Sequence, residues 1–202
     1  MVIEILRLVG GYDLVGLLDA EPGLWGSEVL GVPVLGGDAL LTEMYDRGVR
    51  TAFIGVGMVK SSEPRRSLYA QVRQAGFEIA RAAHPQAIIS PTAEMGDGPT
   101  VMAGAVINAN ASVGDNVIIN TGAIVEHDCV IGNHVHVATG ARLAGSIKVG
   151  DGAHVGIGAT IREGISVGRG SVVGAGAVVI HDVPDHVLVV GVPAKIQRGI
   201  ES

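Results

Sequence analysis

The group of residues in this chain best suited to catalysis is a histidine with a carboxylate on each side, Glu126-His127-Asp128. One of the two carboxylates can bind the far nitrogen of the imidazole, which fixes the tautomer and raises the basicity of the other nitrogen. An imidazole held in this way can act as a general base at neutral pH. Without an acidic neighbour, a histidine in such a place would be ordinary surface. We therefore predict that His127 is the base and that Glu126 and Asp128 are the candidates for its support.

Two other histidines and the single cysteine follow the same stretch. His136 comes nine residues after His127, and His154 comes eighteen residues after His136. If eighteen residues make one coil of a β-helix, His136 and His154 stack about 4.8 Å apart in the direction of the sheet hydrogen bonds. Cys129 falls on an inward, small position, so core packing is a better interpretation than a nucleophile.

These residues belong to a long repeat in which an aliphatic residue returns at every sixth position. A small or apolar residue follows four positions later, and Gly or Asn crowds the positions between. This pattern is the hexapeptide repeat of a parallel β-helix, in which each coil buries its apolar face against its neighbours. The repeated aliphatic residues are Ile89, Met95, Val101, Ile107, Val113, Ile119, Val125, Ile131, Val137, Leu143, Val149, Val155, Ile161, Val167 and Val173.

The spacing of the histidines predicts a site shared between chains. Nine residues are half of an 18-residue coil, so the corner that carries His127 lies opposite the face that carries His136, with the core between them. The two side chains therefore cannot meet within one chain. If both serve one site, two subunits of a closed cyclic oligomer must build it.

Residues 1–84 alternate helical and strand patterns, which predicts a small α/β domain with a parallel sheet. The domain begins with a helix, and the first strand and glycine-rich turn of a doubly wound sheet are missing. We expect an open position in the sheet, and about a dozen more residues before Met1 in the native chain or an ancestor; a reduced sheet is the alternative. Lys60, Arg65 and Arg66 could meet a nucleotide phosphate or form a solvated helix start.

Composition limits the class of protein. The chain has 202 residues, a formal net charge of −6, and no run of Lys or Arg, which argues against a nucleic acid or an anionic membrane as partner. One cysteine excludes a disulfide framework, and no segment has the layout of a membrane span or a signal peptide. These features are typical of a cytoplasmic protein.

The hexads, the Glu126-His127-Asp128 corner and His136 together resemble the bacterial sugar acetyltransferases that include UDP-4-amino-sugar N-acetyltransferases and sialic-acid O-acetyltransferases. The likeness extends to the ending Gly191-Val192-Pro193-Ala194-Lys195 and to Leu17-Leu18-Asp19 and Ile54-Gly55. It implies a Rossmann-like acceptor domain in residues 1–84 and a left-handed parallel β-helix with a C-terminal cap in residues 85–202. It also implies a homotrimer, with acetyl-CoA between neighbouring β-helices and no metal.

The resemblance also implies roles for particular residues. His127 is the general base that deprotonates the acceptor amine, and Asp128 supports it. His136, from the adjacent subunit, contacts the acetyl carbonyl or the thioester sulfur, and we expect it to donate a hydrogen bond to the developing oxyanion. Ala20 stands where relatives that bind a UDP-sugar often have a second acid. The other implied residues line the coenzyme channel (Asn120, Gly145, Ile157, Ala175) or face the nucleotide (Asp19, Ala20, Gly55). Because the coenzyme is polyanionic, we also expect the two cap cations, Lys195 and Arg198, beside its phosphates.

Three alternatives remain open from the sequence. The acceptor could be the hydroxyl of a sialic acid or a related sugar. The β-helix could be a silent scaffold or a sugar-nucleotide sensor, since the glycine-rich loop is missing. Carbonic anhydrases with a similar β-helix bind zinc through histidines, and His134 and His136 are the candidates for such a site. We expect their side chains to diverge, because His134 lies at a corner and His136 on a face.

Overall fold

The computed structural model of this protein describes residues 1–58 and 62–200. A small α/β domain leads into a three-sided parallel β-helix that ends in a hairpin. None of the helices in the described parts of the chain has the length and apolar content needed to cross a bilayer.

The small domain contains short helices and short strands. Helix α1 has an apolar face and ends at Gly10, as its sequence pattern predicts. Its Ile5 and Leu6 are buried against Ala82 and Met102 of the β-helix. The elements of this domain are α1 (Val2–Val9), β1 (Leu17–Leu18), a 3-10 turn (Pro22–Leu24), β2 (Glu28–Val29), β3 (Val32–Gly36), a second 3-10 turn (Asp38–Leu40), α2 (Leu41–Asp46), β4 (Thr51–Ala52), α3 (Glu63–Gln74) and β5 (Glu78–Ile79).

The strands of the small domain form two separate sheets. One has the order β1-β3-β2, with β1 parallel to β3, and the other is the parallel pair β4-β5. Among the described residues no strand joins β1 to β4. The strands of the small domain therefore do not form one continuous sheet in the described residues, and the missing first strand stays a prediction.

The β-helix has three parallel sheets, and successive strands of each face lie eighteen residues apart in the sequence. The first face consists of β6 (Ala82–Ala83), β9 (Thr100–Val101), β12 (Ile118–Ile119), β15 (His136–Val137), β18 (His154–Val155) and β21 (Val172–Val173). The second face consists of β7 (Ile88–Ile89), β10 (Val106–Ile107), β13 (Ile124–Val125), β16 (Arg142–Leu143), β19 (Thr160–Ile161) and β22 (Val178–Val179). The third face consists of β8 (Glu94–Met95), β11 (Ser112–Val113), β14 (Val130–Ile131), β17 (Lys148–Val149) and β20 (Ser166–Val167).

The interior of the β-helix follows from the alternation of side chains along each strand. Ala123 and Val125 are completely buried, whereas Ile124 between them faces outwards. Cys129 is also completely buried, and burial raises the pKa of its thiol. Both facts agree with core packing and oppose a role as a nucleophile.

A hairpin covers the C-terminal end of the β-helix. Strand β23 (Val187–Val190) pairs with β21, and β24 (Lys195–Gly199) pairs antiparallel with β23. Val183 and Val189 are buried beneath this turn of chain. The segment therefore acts as the cap that an open solenoid end requires.

The expectation for Arg65 is wrong. Its side chain is only 1% exposed and lies at the junction of the two domains, so it is neither a solvated helix start nor available to a phosphate. Its hydrogen bonds go to Ile54, Val56, Thr100 and Asn116. Arg66 is exposed, and Lys60 lies outside the described residues.

Candidate active site

His127 lies at the exposed corner between the second and third faces. Strand β13 ends at Val125, and the backbone turns at Asp128, which has a φ of 60°. The Nδ1 atom of His127 lies 2.8 Å from Oδ2 of Asp128. Since a carboxylate accepts, Nδ1 carries the proton and Nε2 keeps its lone pair, as a general base requires.

The structure indicates which carboxylate supports the imidazole. Asp128 receives a second hydrogen bond, from Nδ2 of Asn110, and the bonds from His127 and Asn110 lower the pKa of Asp128. Glu126 points elsewhere, and its Oε2 accepts from Nδ2 of Asn108 at 2.8 Å. Asp128 is therefore the partner of His127, and Glu126 has no direct contact with the ring among the described interactions.

Asn108 and Asn110 were missed in the sequence. They lie one coil before Glu126 and Asp128, at a separation of eighteen residues. The coil length inferred from the repeat was the signal that could have found them.

Gly145 lies one coil after His127 and directly beside its ring. A Cβ atom at Gly145 would be 2.6 Å from Cε1 and 2.7 Å from Nε2 of His127. Such distances are far below van der Waals contact, so only glycine permits this position of the imidazole. The residue expected in the coenzyme channel thus adjoins the candidate base.

His136 lies on the first face, with both ring nitrogens bonded within the chain. Nδ1 is 3.0 Å from the carbonyl oxygen of Met58, and Nε2 is 3.2 Å from Nδ2 of Asn120. Nδ1 therefore donates and Nε2 accepts. Burial lowers the pKa of the His136 imidazole, which favours the neutral ring. This arrangement leaves no ring N–H for an oxyanion, so it gives no support to the expected hydrogen bond from His136.

His136 and His154 lie one above the other on the first face, as the sequence predicts. They are register partners on neighbouring strands, and their ring centroids are 4.8 Å apart with perpendicular planes. Burial, together with His136, lowers the pKa of His154 to about 4.

His134 and His136 diverge. The Nδ1 atom of His134 lies 3.0 Å from Nδ2 of Asn116, and its ring packs edge-on against Tyr69. The partners of His136 are different residues. Within residues 1–58 and 62–200 no three His, Cys, Asp or Glu side chains come together as a metal site.

A cavity of about 1070 Å³ lies on the first face, between the start of α3 and the cap hairpin. The His127 corner is on the opposite side of the β-helix and does not line this cavity. Polar and basic groups contribute to its walls, which include Ser62, Arg66, His136, His154, Arg169 and Arg198.

The other residues expected at the coenzyme occupy separate places. Ile157 and Ala175 are exposed and stack along the corner between the first and second faces, and Asn120 lies at the start of that corner. Gly145 lies at the next corner, beyond the second face. Lys195 and Arg198 are exposed on β24, and only Arg198 reaches the cavity.

The residues expected at the nucleotide follow the carboxyl ends of parallel strands. Asp19 and Ala20 come after β1, and Gly55 comes after β4. Oδ1 of Asp19 accepts from the backbone N–H of Glu21, while Ala20 and Gly55 are exposed. Ligands of open α/β sheets bind at such strand ends.

Comparison with known proteins agrees with this architecture. Residues 110–145 match the family described as bacterial transferase hexapeptide (six repeats). A perosamine N-acetyltransferase from Caulobacter crescentus, solved with CoA and GDP-perosamine, is 42% identical, with 98% of this chain and 90% of that chain covered and a TM-score of 0.92. A search of curated proteins finds no match.

Two further solved structures are similar over nearly the whole chain. The acetyltransferase domain of PglB from Neisseria gonorrhoeae, in complex with acetyl coenzyme A, is 36% identical, with 96% of this chain and 92% of that chain covered and a TM-score of 0.89. WeeI from Acinetobacter baumannii is 28% identical, with coverages of 96% and 93% and a TM-score of 0.81. These matches confirm the predicted fold class, an α/β domain followed by a left-handed β-helix. The chain belongs to the hexapeptide-repeat transferase family, together with the perosamine N-acetyltransferase.

Proposed function

We propose that this protein is an acetyl-CoA-dependent N-acetyltransferase that acts on the amino group of a nucleotide-linked sugar. The observation that carries the proposal is the His127–Asp128 pair, with its free Nε2 beside Gly145. The similarity to an enzyme solved with CoA and GDP-perosamine supports the choice of acceptor. The sequence resemblance favoured a UDP-sugar, so UDP- and GDP-linked 4-amino sugars are both candidates.

The proposed reaction is direct transfer. The acceptor amine attacks the thioester carbonyl carbon, a C–N bond forms, and Nε2 of His127 takes a proton from the amine nitrogen. The C–S bond then breaks, and the imidazolium of His127 gives its Nε2 proton to the leaving sulfur, so that the coenzyme leaves as a thiol and the base is regenerated. Asp128 stabilises the imidazolium that exists between these two transfers, because it accepts the Nδ1 hydrogen.

We further propose that a homotrimer forms the sites between subunits. The His127 corner and the first-face cavity lie on opposite sides of one β-helix, so a corner of one subunit must face the cavity of the next if both contribute. The division of the coenzyme candidates between two corners fits the same arrangement. In this proposal Gly145 from one chain and Asn120, His136, Ile157 and Ala175 from the other line one coenzyme, with Lys195 and Arg198 near its phosphates.

The small domain, predicted as residues 1–84 and ending before the first β-helix strand, β6, in the structure, is assigned to the acceptor. Asp19, Ala20 and Gly55 would face its nucleotide, because all three lie at the carboxyl ends of parallel strands. A cytoplasmic location is part of the proposal and agrees with the single buried cysteine.

A screen of thiol release from acetyl-CoA tests the proposal. UDP-4-amino sugars, GDP-perosamine, free sialic acids and amino acids are supplied separately. We expect turnover with one of the nucleotide-linked amino sugars. Turnover only with a sialic acid would instead favour O-acetylation, and no turnover with any acceptor would favour a scaffold or sensor.

A further inference from the structure

Arg65 is a buried cation whose partners are uncharged oxygens. It lies in the first turn of α3 and is only 1% exposed. Burial lowers the pKa of its guanidinium to about 10, so the group stays protonated at neutral pH. Among the described residues no carboxylate forms an ion pair with it. A buried charge costs free energy unless polar groups surround it. The oxygen atoms that bond to Arg65 must therefore be held in place around the guanidinium.

The guanidinium aligns the backbone that follows β4. Its Nη1 donates to the carbonyl oxygens of Ile54, at 2.8 Å, and Val56, at 2.6 Å. These carbonyls lie two residues apart on one side of an extended segment, and their common direction is set by one nitrogen atom.

The same peptide units hold the N–H groups of Gly55 and Gly57. In a trans peptide the N–H points opposite to the C=O, so these two N–H groups point away from Arg65. Neither has a hydrogen-bond partner among the described residues. A Cβ at either glycine would meet no atom within 4 Å, so the space around both is open.

The remaining donors of Arg65 attach this segment to the β-helix. Nε donates to the carbonyl oxygen of Asn116 and Nη2 to Oγ1 of Thr100, each at 3.3 Å. Nδ2 of Asn116 donates back to the carbonyl oxygen of Arg65. In the same segment, the carbonyl oxygen of Met58 accepts a hydrogen bond from Nδ1 of His136. The direction of the two free N–H groups is thus fixed relative to the first face.

We propose that Arg65 is a positioning residue that presents the N–H groups of Gly55 and Gly57 to the diphosphate of the acceptor. This inference rests on the proposed function, because a nucleotide-linked sugar supplies the anion. Backbone N–H groups bind anionic oxygens through strong, charge-assisted hydrogen bonds. Arg65 itself does not touch the acceptor and acts through the backbone.

Steady-state kinetics of Arg65→Met and Arg65→Lys test the inference, with Arg73→Met as the control on the same helix. Arg73 is half-exposed and pairs with Asp97 at the surface. We expect Arg65→Met to raise KM for the nucleotide sugar about tenfold to a hundredfold, with KM for acetyl-CoA within about twofold. Lysine keeps the charge but loses the planar fork, so Arg65→Lys should fall between wild type and Arg65→Met. An unchanged acceptor KM in folded Arg65→Met, or an equal rise in both KM values, would overturn the inference.

Direct binding separates this inference from the proposed function. GDP and UDP are titrated calorimetrically into wild type and Arg65→Met. Weaker binding to the variant supports the inference even if no sugar is acetylated. Equal binding contradicts the inference and leaves the proposed acetyltransferase function unaffected. If neither nucleotide binds the wild type, both ideas are wrong. Should Arg65→Met not fold, the amide NMR signals of Gly55 and Gly57 decide: they should shift when nucleotide binds wild type, and unmoved signals at saturation contradict the inference.

Discussion

Among single residues, His127 has Nδ1 bonded to Asp128, and its Nε2 has no hydrogen-bond partner within residues 1–58 and 62–200. The neighbouring acid, Glu126, is bonded to Asn108 instead. This division gives the two carboxylates different roles, because only Asp128 can stabilise a proton on the imidazole. Glu126 supports the corner from the side through the preceding coil.

We predict that His127→Ala lowers kcat by about 10²–10⁴-fold, the usual effect of losing a general base. Asp128→Asn should lose less, because the base itself remains. His181→Ala, an exposed histidine in the cap, is the matched control. Thiol release at saturating substrates measures the effect, and near-normal turnover by His127→Ala would end the proposed mechanism.

Gly145→Ala should inactivate the enzyme without unfolding it. The new Cβ would displace the His127 ring, since it would lie 2.6 Å from Cε1. The backbone itself tolerates a side chain here, because Glu163 occupies the same corner one coil later. We expect kcat to fall at least about tenfold, which corresponds to about 1.4 kcal/mol, with little change in Tm. A variant with full activity would show that the ring position is not needed.

At the scale of elements, a ladder of Asp and Asn side chains secures the corner between the third and first faces. Oδ1 of Asp115 accepts from the backbone N–H of Asp97, and Oδ1 of Asn133 accepts from that of Asp115. Asp151 does the same for Asn133. Each side chain accepts from a backbone N–H of the preceding coil, so the ladder adds hydrogen bonds between coils to those of the short strands.

Removing one rung should destabilise the protein. Asp115→Ala leaves the N–H of Asp97 without its partner, and we expect the free energy of unfolding to fall by about 1–3 kcal/mol. Asp115→Asn keeps an acceptor and is the matched control. Urea denaturation compares the two variants, and equal losses would argue against the ladder.

The first face should make stability depend on pH. The pKa of His154 is lowered to about 4 in the folded protein, below the ordinary value of 6.5, so the unfolded chain binds a proton that the folded chain refuses. His154 therefore leaves the free energy of unfolding unchanged above pH 6.5 and lowers it as the pH falls from 6.5 towards 4. We therefore expect Tm to drop less for His154→Gln than for wild type between pH 7.5 and pH 5. An identical drop would mean that His154 does not titrate on unfolding.

At the scale of the whole molecule, the candidate base and the cavity lie on opposite sides of the β-helix. The 18-residue coil places His127 at one corner and His136 on the far face. The two groups therefore cannot meet within one chain, and the proposed homotrimer would bring the His127 corner of one subunit to the His136 face of the next.

Complementation tests this shared site. His127→Ala and His136→Ala proteins are unfolded and then refolded together. Mixed trimers contain interfaces with an intact His127 corner and an intact His136 face, so activity should reappear above that of either parent. Mixed trimers verified by mass that remain inactive, from two inactive parents, would refute a site built by two chains.

The β-helix, its cap and the candidate base could all be predicted from the amino-acid sequence. Its six-residue period fixes which side chains enter the core, because side chains alternate along each short strand and each strand pairs with the strands one coil before and one coil after it. The inward position of Cys129 and the register of His136 with His154 both follow from that pattern.

Contacts between coils and between domains could not be predicted from the sequence, and the tertiary structure supplied them. It assigned Asp128 rather than Glu126 to His127, through partners eighteen residues away. It placed Gly145 against the imidazole and buried Arg65 at the domain junction. A charged side chain at the start of a helix is predicted to be exposed from the sequence alone. Its burial depends on what packs over it, and for Arg65 that is the β-helix.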